Sequence, residues 1–158
     1  MLRPSRRRPE FKQKYGIKDA PSGMLDWAWA DERLAVSRNY WIGTADEDGR
    51  PRVIPVWGVW IDDSVVFGTN VRSRKAQNLD RDPRVVVHLE SGDEAVILEG
   101  DVDTIEATEE IADAFSAKYD WRPDPGADDS TRWYRLRPKL AQAWLETDYP
   151  KTATRFDF

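Results

Sequence analysis

Arg72, Arg74 and Lys75 crowd the point where the run Phe67-Gly68-Thr69-Asn70 ends and a short helix must begin, with Ser73 among them in capping position. A helix start presents free N–H groups and the positive end of the macrodipole, so each cation there is misplaced by on the order of 0.3–1 kcal/mol. Asp80 and Asp82 crowd the far end, where cations would be preferred. The charge order is reversed for helix stability, and an anion held by Ser73, Arg74, Lys75 and the free N–H groups would account for it. The spacing predicts a phosphate site. The alternative is a solvated helix whose Arg and Lys find surface carboxylates elsewhere.

Other chemistries lack their parts. With no cysteine there is no thiolate nucleophile, disulfide or Cys/His metal site. His88 is the single histidine; it lies in the alternating run 85–90, where a satisfied barrel histidine is the plainer reading, and no nucleophile is marked out near it. Asp46, Glu47, Asp48, Asp62, Asp63, Asp128 and Asp129 fall in turn-like segments, a setting for solvated carboxylates rather than paired-carboxylate hydrolysis. Glycines are too scattered for a Walker loop or a dinucleotide fingerprint. The sequence therefore marks no catalytic residue and no metal site. It suggests a binder of a flat phosphorylated molecule, and an enzyme only if the cofactor does the chemistry.

The chain of 158 residues suits one domain. Its formal charge of -5 is uneven: seven Arg and Lys up to Lys18 (positions 3, 6, 7, 8, 12, 14 and 18) against Glu10 give that segment +6 and the remainder -11. An acidic body is a poor match to a polyanion, so no nucleic-acid partner is expected. The basic segment suits packing on an acidic body or lining the mouth of a site for an acidic ligand. No apolar stretch approaches the ~20 residues that span a bilayer and no signal-peptide core follows the N-terminal charges, so a soluble, cytoplasmic protein without membrane association is expected. Trp27, Trp29, Trp41, Trp57, Trp60, Trp121, Trp133 and Trp144 recur along the chain, mostly as expected core or interface anchors.

The elements that must position these residues are mainly β. Residues 1–22, broken by Pro4, Pro9, Gly16 and Pro21, read as a basic arm, and residues 23–158 as a single domain. A helix is expected over Leu25–Arg38, strands over Tyr40–Ala45 and Arg52–Ile61 around an Asp48-Gly49 turn, and a third strand over Val65–Thr69. After the Ser-Arg-Lys helix come strands over Val85–Glu90 and Ala95–Ile105, then a helix capped by Thr108 and running to Tyr119. Trp133–Leu136 and Leu140–Leu145 read as final strands interrupted by Pro138. The expectation is a β-rich α+β fold, a six-stranded barrel with two or three peripheral helices.

Gly49-Arg50-Pro51 leading to Pro55-Val56-Trp57, then Phe67-Gly68-Thr69-Asn70, Ser73-Arg74-Lys75, Asn78-Leu79 and Asp82-Pro83-Arg84-Val85 resemble, in this order, the split-barrel flavin-binding superfamily of pyridoxamine 5'-phosphate oxidase-like proteins. The similarity covers about residues 37–105 and more loosely the strands to Leu145. It implies that Thr69, Asn70, Arg74 and Lys75, within a motif that includes Ser73 and Asn78, hold the cofactor phosphate. It further implies that the strand carrying Pro55, Val56 and Trp57 lies along the flavin ring, and that the protein is a homodimer with sites at the subunit interface.

The departures narrow the reading. Pyridoxamine phosphate oxidases carry an Arg and a Lys on the second strand, where this chain aligns Ile54 and Val59, which counts against vitamin B6 oxidation. The pattern looks closer to the branch that uses the deazaflavin F420, whose phosphate and oligoglutamate tail would suit Arg72, Arg74, Lys75 and the basic arm. The expected activity is F420-dependent reduction of a small conjugated molecule by hydride transfer. The alternatives are an FMN-dependent oxidoreductase and a non-catalytic flavin or haem carrier, with His88 as the candidate haem ligand.

Overall fold

The computed structural model describes residues 3–10, 15–17, 19–126 and 129–158; Lys12, Lys14, Lys18 and Asp128, named above, lie outside them. Along the chain the elements are β1 (Ser5–Arg7), α1 (Trp27–Val36), β2 (Asn39–Ala45), β3 (Pro51–Trp57), β4 (Val59–Ile61), β5 (Ser64–Asn70) and α2 (Arg74–Arg81). There follow β6 (Arg84–His88), β7 (Glu94–Ile105), α3 (Glu109–Tyr119), β8 (Thr131–Leu145), a 3-10 turn (Glu146–Asp148), α4 (Tyr149–Thr152) and β9 (Thr154–Asp157).

Alternation sets the register. Tyr40, Ile42 and Thr44 of β2 are buried while their neighbours are only partly so, the period-2 pattern of a strand with one core face. The Asp48-Gly49 turn, with Gly49 at φ 76°, returns the chain as β3, paired with β2 from Asn39↔Trp57 to Ala45↔Pro51. Every ladder is antiparallel, in the order β1-β9-β8-β7-β6-β2-β3, and β5 joins the β8 edge with β4 on its far side. The strands β2, β3, β5, β8, β7 and β6 thus form a ring whose only junction without a ladder is β3 against β5. This is the six-stranded split barrel; β1, β4 and β9 are additional to it, and among the described residues the helices number four.

The split explains one departure from the sequence reading. Arg52–Ile61, expected as one strand, is two. A Cβ at Gly58 would lie 3.0 Å from both the Tyr40 ring and the Val66 carbonyl oxygen, so only glycine lets the backbone cross so close to the barrel. Before it the chain pairs with β2, and after it with β5. Gly58 is where the chain steps over the seam.

Pro138, expected to interrupt the last strands, sits inside the continuous β8. The ladder to β7 shifts register opposite it, between Glu99 and Gly100. Gly100 is required there, since a Cβ would come within 2.7 Å of the Arg137 carbonyl oxygen. Pro138 also falls between the stretch of β8 that pairs with β5 and the stretch that pairs with β9, so its missing N–H breaks no ladder on that side. The N-terminal segment packs on the body of the same chain, where Ser5–Arg7 adds a strand beside β9.

The barrel interior is filled by Leu34, Tyr40, Ile42, Val65, Phe67, Val87, Leu98, Tyr134 and Leu136, all at most 1% exposed. A second cluster under α3 joins Val59, Val66, Ile111, Phe115, Tyr119 and Trp133. Strand β5 is buried on both faces, Val65 and Phe67 facing one cluster and Val66 the other. Emptying the Phe67 position would cost about 3–5 kcal/mol, so the strand that ends at Thr69 and Asn70 is firmly held.

Candidate functional site

Strand β5 delivers Thr69 and Asn70 to one end of the barrel, where the chain turns into α2. Asn70 fixes the turn: its side-chain oxygen accepts from the Arg72 N–H at 2.8 Å and its carbonyl from the Ser73 N–H at 2.9 Å. Ser73 caps the helix, accepting from the Ala76 N–H at 3.2 Å, which contributes about 1 kcal/mol. The Thr69 hydroxyl lies 3.1 Å from Ser73 Oγ and accepts from Lys75 Nζ at 2.8 Å. Thr69, Ser73 and Lys75 are thereby drawn together. Lys75 is half-buried, and burial lowers its proton affinity.

The two ends of α2 differ in their partners. At the far end Asp80 pairs with Arg132, and Asp82 pairs with Arg84 at 2.6 Å. The Arg84 guanidinium holds the Asp82 carboxyl at about 2. Arg81 donates to the Asn78 side-chain oxygen at 3.2 Å and to the Ala45 carbonyl at 3.4 Å. At the start, neither Arg72, Arg74 nor Lys75 has a carboxylate partner among the described residues. The acids that seemed misplaced are accounted for by other strands; the cations are not.

Arg74 lines a groove of about 320 Å³ with Asp46, Arg52, Gln77, Asn78 and Arg81 among its walls. The groove carries both signs, since Glu47 and Asp48 also line it, while Asp46 is engaged by Arg52 at 3.1 Å and by the turn amides of Asp48 and Arg50. Asn78 is buried and donates to Thr44 Oγ1 at 3.0 Å. It therefore ties α2 to β2 and shapes the groove rather than presenting a free donor.

From Arg52, β3 carries Ile54 and Val56 along the face that Thr44, Ile42 and Tyr40 share on β2. Ile54 is 47% exposed although it is on that face, because the unladdered seam leaves it uncovered. An apolar strip thus runs away from the cationic end. Pro55 and Trp57 alternate to the opposite face, and Trp57 stacks on Tyr119 of α3 with ring centroids 4.5 Å apart. The side chains of the expected Pro55-Val56-Trp57 group are therefore divided between the two faces of β3.

Sequence reasoning passed over Arg52, Gln77 and Arg81. The signals were present: Arg52 is two residues before Ile54 in an alternating strand, and Arg74, Gln77 and Arg81 recur at spacings of three and four on one helix face. The basic arm, by contrast, has no charge to spare at Arg6–Arg8. Arg6 pairs with Asp26, and Arg7 with Asp157 at 2.8 Å. Arg8 is buried against the carbonyls of Ala20, Ser22, Lys151 and Ala153. These arginines pack on the body of the same chain and are withdrawn from the expected role in holding an acidic tail.

His88 Nδ1 donates to the Leu89 carbonyl at 2.8 Å, and its ring stacks parallel to Trp41 at 6.0 Å. Among the described residues no group of His, Asp or Glu is arranged to hold a metal ion. No helix among them is long and apolar enough to cross a membrane.

A barrel open along one seam, with a helix-borne cation cluster at one end of the opening and an apolar strand beside it, defines the flavin-binding split-barrel class. The chain belongs to the pyridoxamine 5'-phosphate oxidase family, whose model matches residues 30–145. A pyridoxine/pyridoxamine 5'-phosphate oxidase from Acidothermus cellulolyticus is 33% identical over 118 residues, covering 73% of this chain and 50% of that protein. The chain thus spans about half the length of this curated relative. Among solved structures, a conserved hypothetical protein from Mycobacterium tuberculosis superposes with a TM-score of 0.66 and 25% identity, covering 77% of this chain and 86% of the other. An F420 reductase superposes with a TM-score of 0.59 and 21% identity over 70% of this chain and 94% of the other, a likeness of fold.

Proposed function

We propose that the protein is an F420-dependent reductase that transfers hydride to a small conjugated molecule. The observation that carries this reading is the partner imbalance at the two ends of α2: Asp80 and Asp82 at its far end are neutralised within the chain, while Arg72, Arg74 and Lys75 have no carboxylate partner among the described residues. The residues fit a phosphate group. Thr69 and Ser73 offer hydroxyls, Lys75 an ammonium held at 2.8 Å from Thr69 Oγ1, and Arg74 a planar fork over the adjoining groove. A second, extended acidic group beyond the phosphate would find Arg72 in the turn before α2 and Arg81 on the helix.

The flat part of the cofactor would lie on Ile54 and Val56, where the seam exposes apolar side chains, and the loss of a cation at Ile54 favours F420 over FMN. Reduced F420, when bound, supplies a hydride from its C5 carbon. The chain's contribution would be positional: β3 would shield one face of the ring from water and the α2 cations would hold its phosphate end, and the proton that completes the reduction would come from solvent. The protein acts as a homodimer in this reading. Val53 and Val86, 56% and 40% exposed, border a groove of about 600 Å³ on the outer face and suit burial against a second copy.

A specific observation favours FMN as the second reading: the name of the Acidothermus relative is that of an oxidase. Paired titrations of the purified chain with F420 and FMN, followed by tryptophan quenching, separate the two. Preferential saturable binding of F420 is expected; preference for FMN transfers the protein to the flavin-dependent oxidoreductases, and binding of neither removes the reductase reading.

A further inference from the structure

At the other end of β3, a second group of cations lacks counter-ions among the described residues. Arg38, exposed just beyond α1, has its guanidinium 5.9 Å from the centre of the Trp57 ring and 5.4 Å from that of Tyr119. Lys118 Nζ, half-buried, donates to the Gly58 carbonyl at 2.8 Å and the Tyr40 hydroxyl at 3.1 Å, and faces the Tyr40 ring at 4.5 Å. Neither cation has a carboxylate partner among the described residues. Burial, then repulsion from Arg38, lowers the Lys118 ammonium to about 8. Arg38 follows the C-terminus of α1 and Lys118 lies in the last turn of α3, but a helix terminus carries only about half an elementary charge.

The aromatic rings beside these cations are held in place, and the two indoles among them are open to solvent. Tyr119 is locked by its hydroxyl, which accepts from the Gly58 N–H at 2.9 Å and donates to the Arg38 carbonyl at 2.6 Å. Trp57 stacks on it, and Trp121 leans against Trp57 with centroids 6.3 Å apart at 55°. Trp57 and Trp121 are nevertheless 44% and 49% exposed, a large indole area left in water. A rigid aromatic shelf beside an unpaired guanidinium is complementary to a flat ring system bearing a carboxylate.

We propose that Trp57, Trp121 and Arg38 form a binding site for a small planar conjugated carboxylate, separate from the α2 anion site and at the opposite end of the same strand. The ring lies against the indoles, Arg38 takes the carboxylate, and Lys118 reinforces the field from beneath. Because Trp57 faces away from Ile54 and Val56, this site lies across β3 from the strip assigned to the cofactor ring, and its binding stands independently of the cofactor reading.

The test is calorimetric titration of the full chain with trans-cinnamate and with its uncharged counterpart cinnamamide, with and without F420. Saturable binding of cinnamate is expected, at least tenfold tighter than cinnamamide. Arg38→Gln should remove that preference, and Trp121→Ala, a surface change, should weaken both probes. Arg74→Ala with Lys75→Ala should leave cinnamate unaffected. Equal affinity for acid and amide, unchanged cinnamate binding in folded Arg38→Gln, or no cinnamate binding under either condition would overturn the site. Failure of F420 to bind, with cinnamate binding intact, would overturn the cofactor reading alone.

Discussion

Two basic segments of this chain look alike in composition and differ in what surrounds them. Arg6, Arg7 and Arg8 lie along the β1–β9 seam, where each guanidinium meets a carboxylate or a set of backbone carbonyls of the same chain. Arg72, Arg74 and Lys75 lie at the start of α2, where the described residues supply a hydroxyl and no carboxylate. Charge density alone would rank the Arg6–Arg8 run first. The partner count reverses the order, because a cation already satisfied by its own fold gains little from a ligand, whereas an unneutralised one gains charge-assisted bonds of about 1.5–3 kcal/mol each.

That contrast is sharpened most by Arg74→Ala combined with Lys75→Ala. Affinity for the phosphorylated cofactor should fall at least 100-fold, about 3 kcal/mol or more, with thermal unfolding nearly unchanged. An unaltered dissociation constant in the folded variant would place the anion site elsewhere. The converse change is Arg8→Ala, which strands the carbonyls of Ala20, Ser22, Lys151 and Ala153. It should cost about 2–3 kcal/mol of stability in denaturant titration while leaving cofactor affinity untouched; loss of affinity without loss of stability would return the arm to the ligand.

A smaller effect is expected from pH. With the folded-state value of Lys118 near 8 and the unfolded ordinary value near 10.4, the unfolded chain binds more protons in between, so stability rises as pH increases from about 8 to 9.5. Lys75, lowered by burial, acts in the same direction. The tyrosines Tyr40 and Tyr119, raised by burial, act oppositely only above about pH 10. Because Lys118 is partly solvated, a gain of about 1 kcal/mol is expected, and Lys118→Gln should flatten the slope; a wild-type stability that falls across this window contradicts the assignment. Smallest of all, Arg6→Ala breaks an exposed pair with Asp26 and should shift stability by less than about 1 kcal/mol.

The aromatic residues divide along similar lines. Trp27 and Trp133 are buried, as core anchors should be, while Trp57 and Trp121 stay open to solvent. Indole content by itself does not separate these roles, since a residue that fills a core and one that forms a shelf have the same composition. The difference lies in which face of a strand or helix the rest of the fold covers.

Much of the barrel was legible because strand periodicity and turn chemistry are local. The Asp48-Gly49 hairpin, the alternation of Tyr40–Ala45 and the caps Ser73 and Thr108 are properties of neighbouring residues, and the structure realises them. The Ser73-Arg74-Lys75 signal was equally local, since a helix start and its dipole need no tertiary contact to be recognised. What required the fold was anything fixed by residues distant in sequence. The division of Arg52–Ile61 at Gly58 depends on Tyr40 and Val66, the continuity of β8 through Pro138 on the bulge at Gly100, and the withdrawal of Arg8 on the carbonyls of Lys151 and Ala153. The sequence alone determined most of the barrel strands and the crowding of cations at the start of α2. Only the tertiary structure decided which charges were left without partners, because neutralisation is set by the approach of groups that the chain itself keeps far apart.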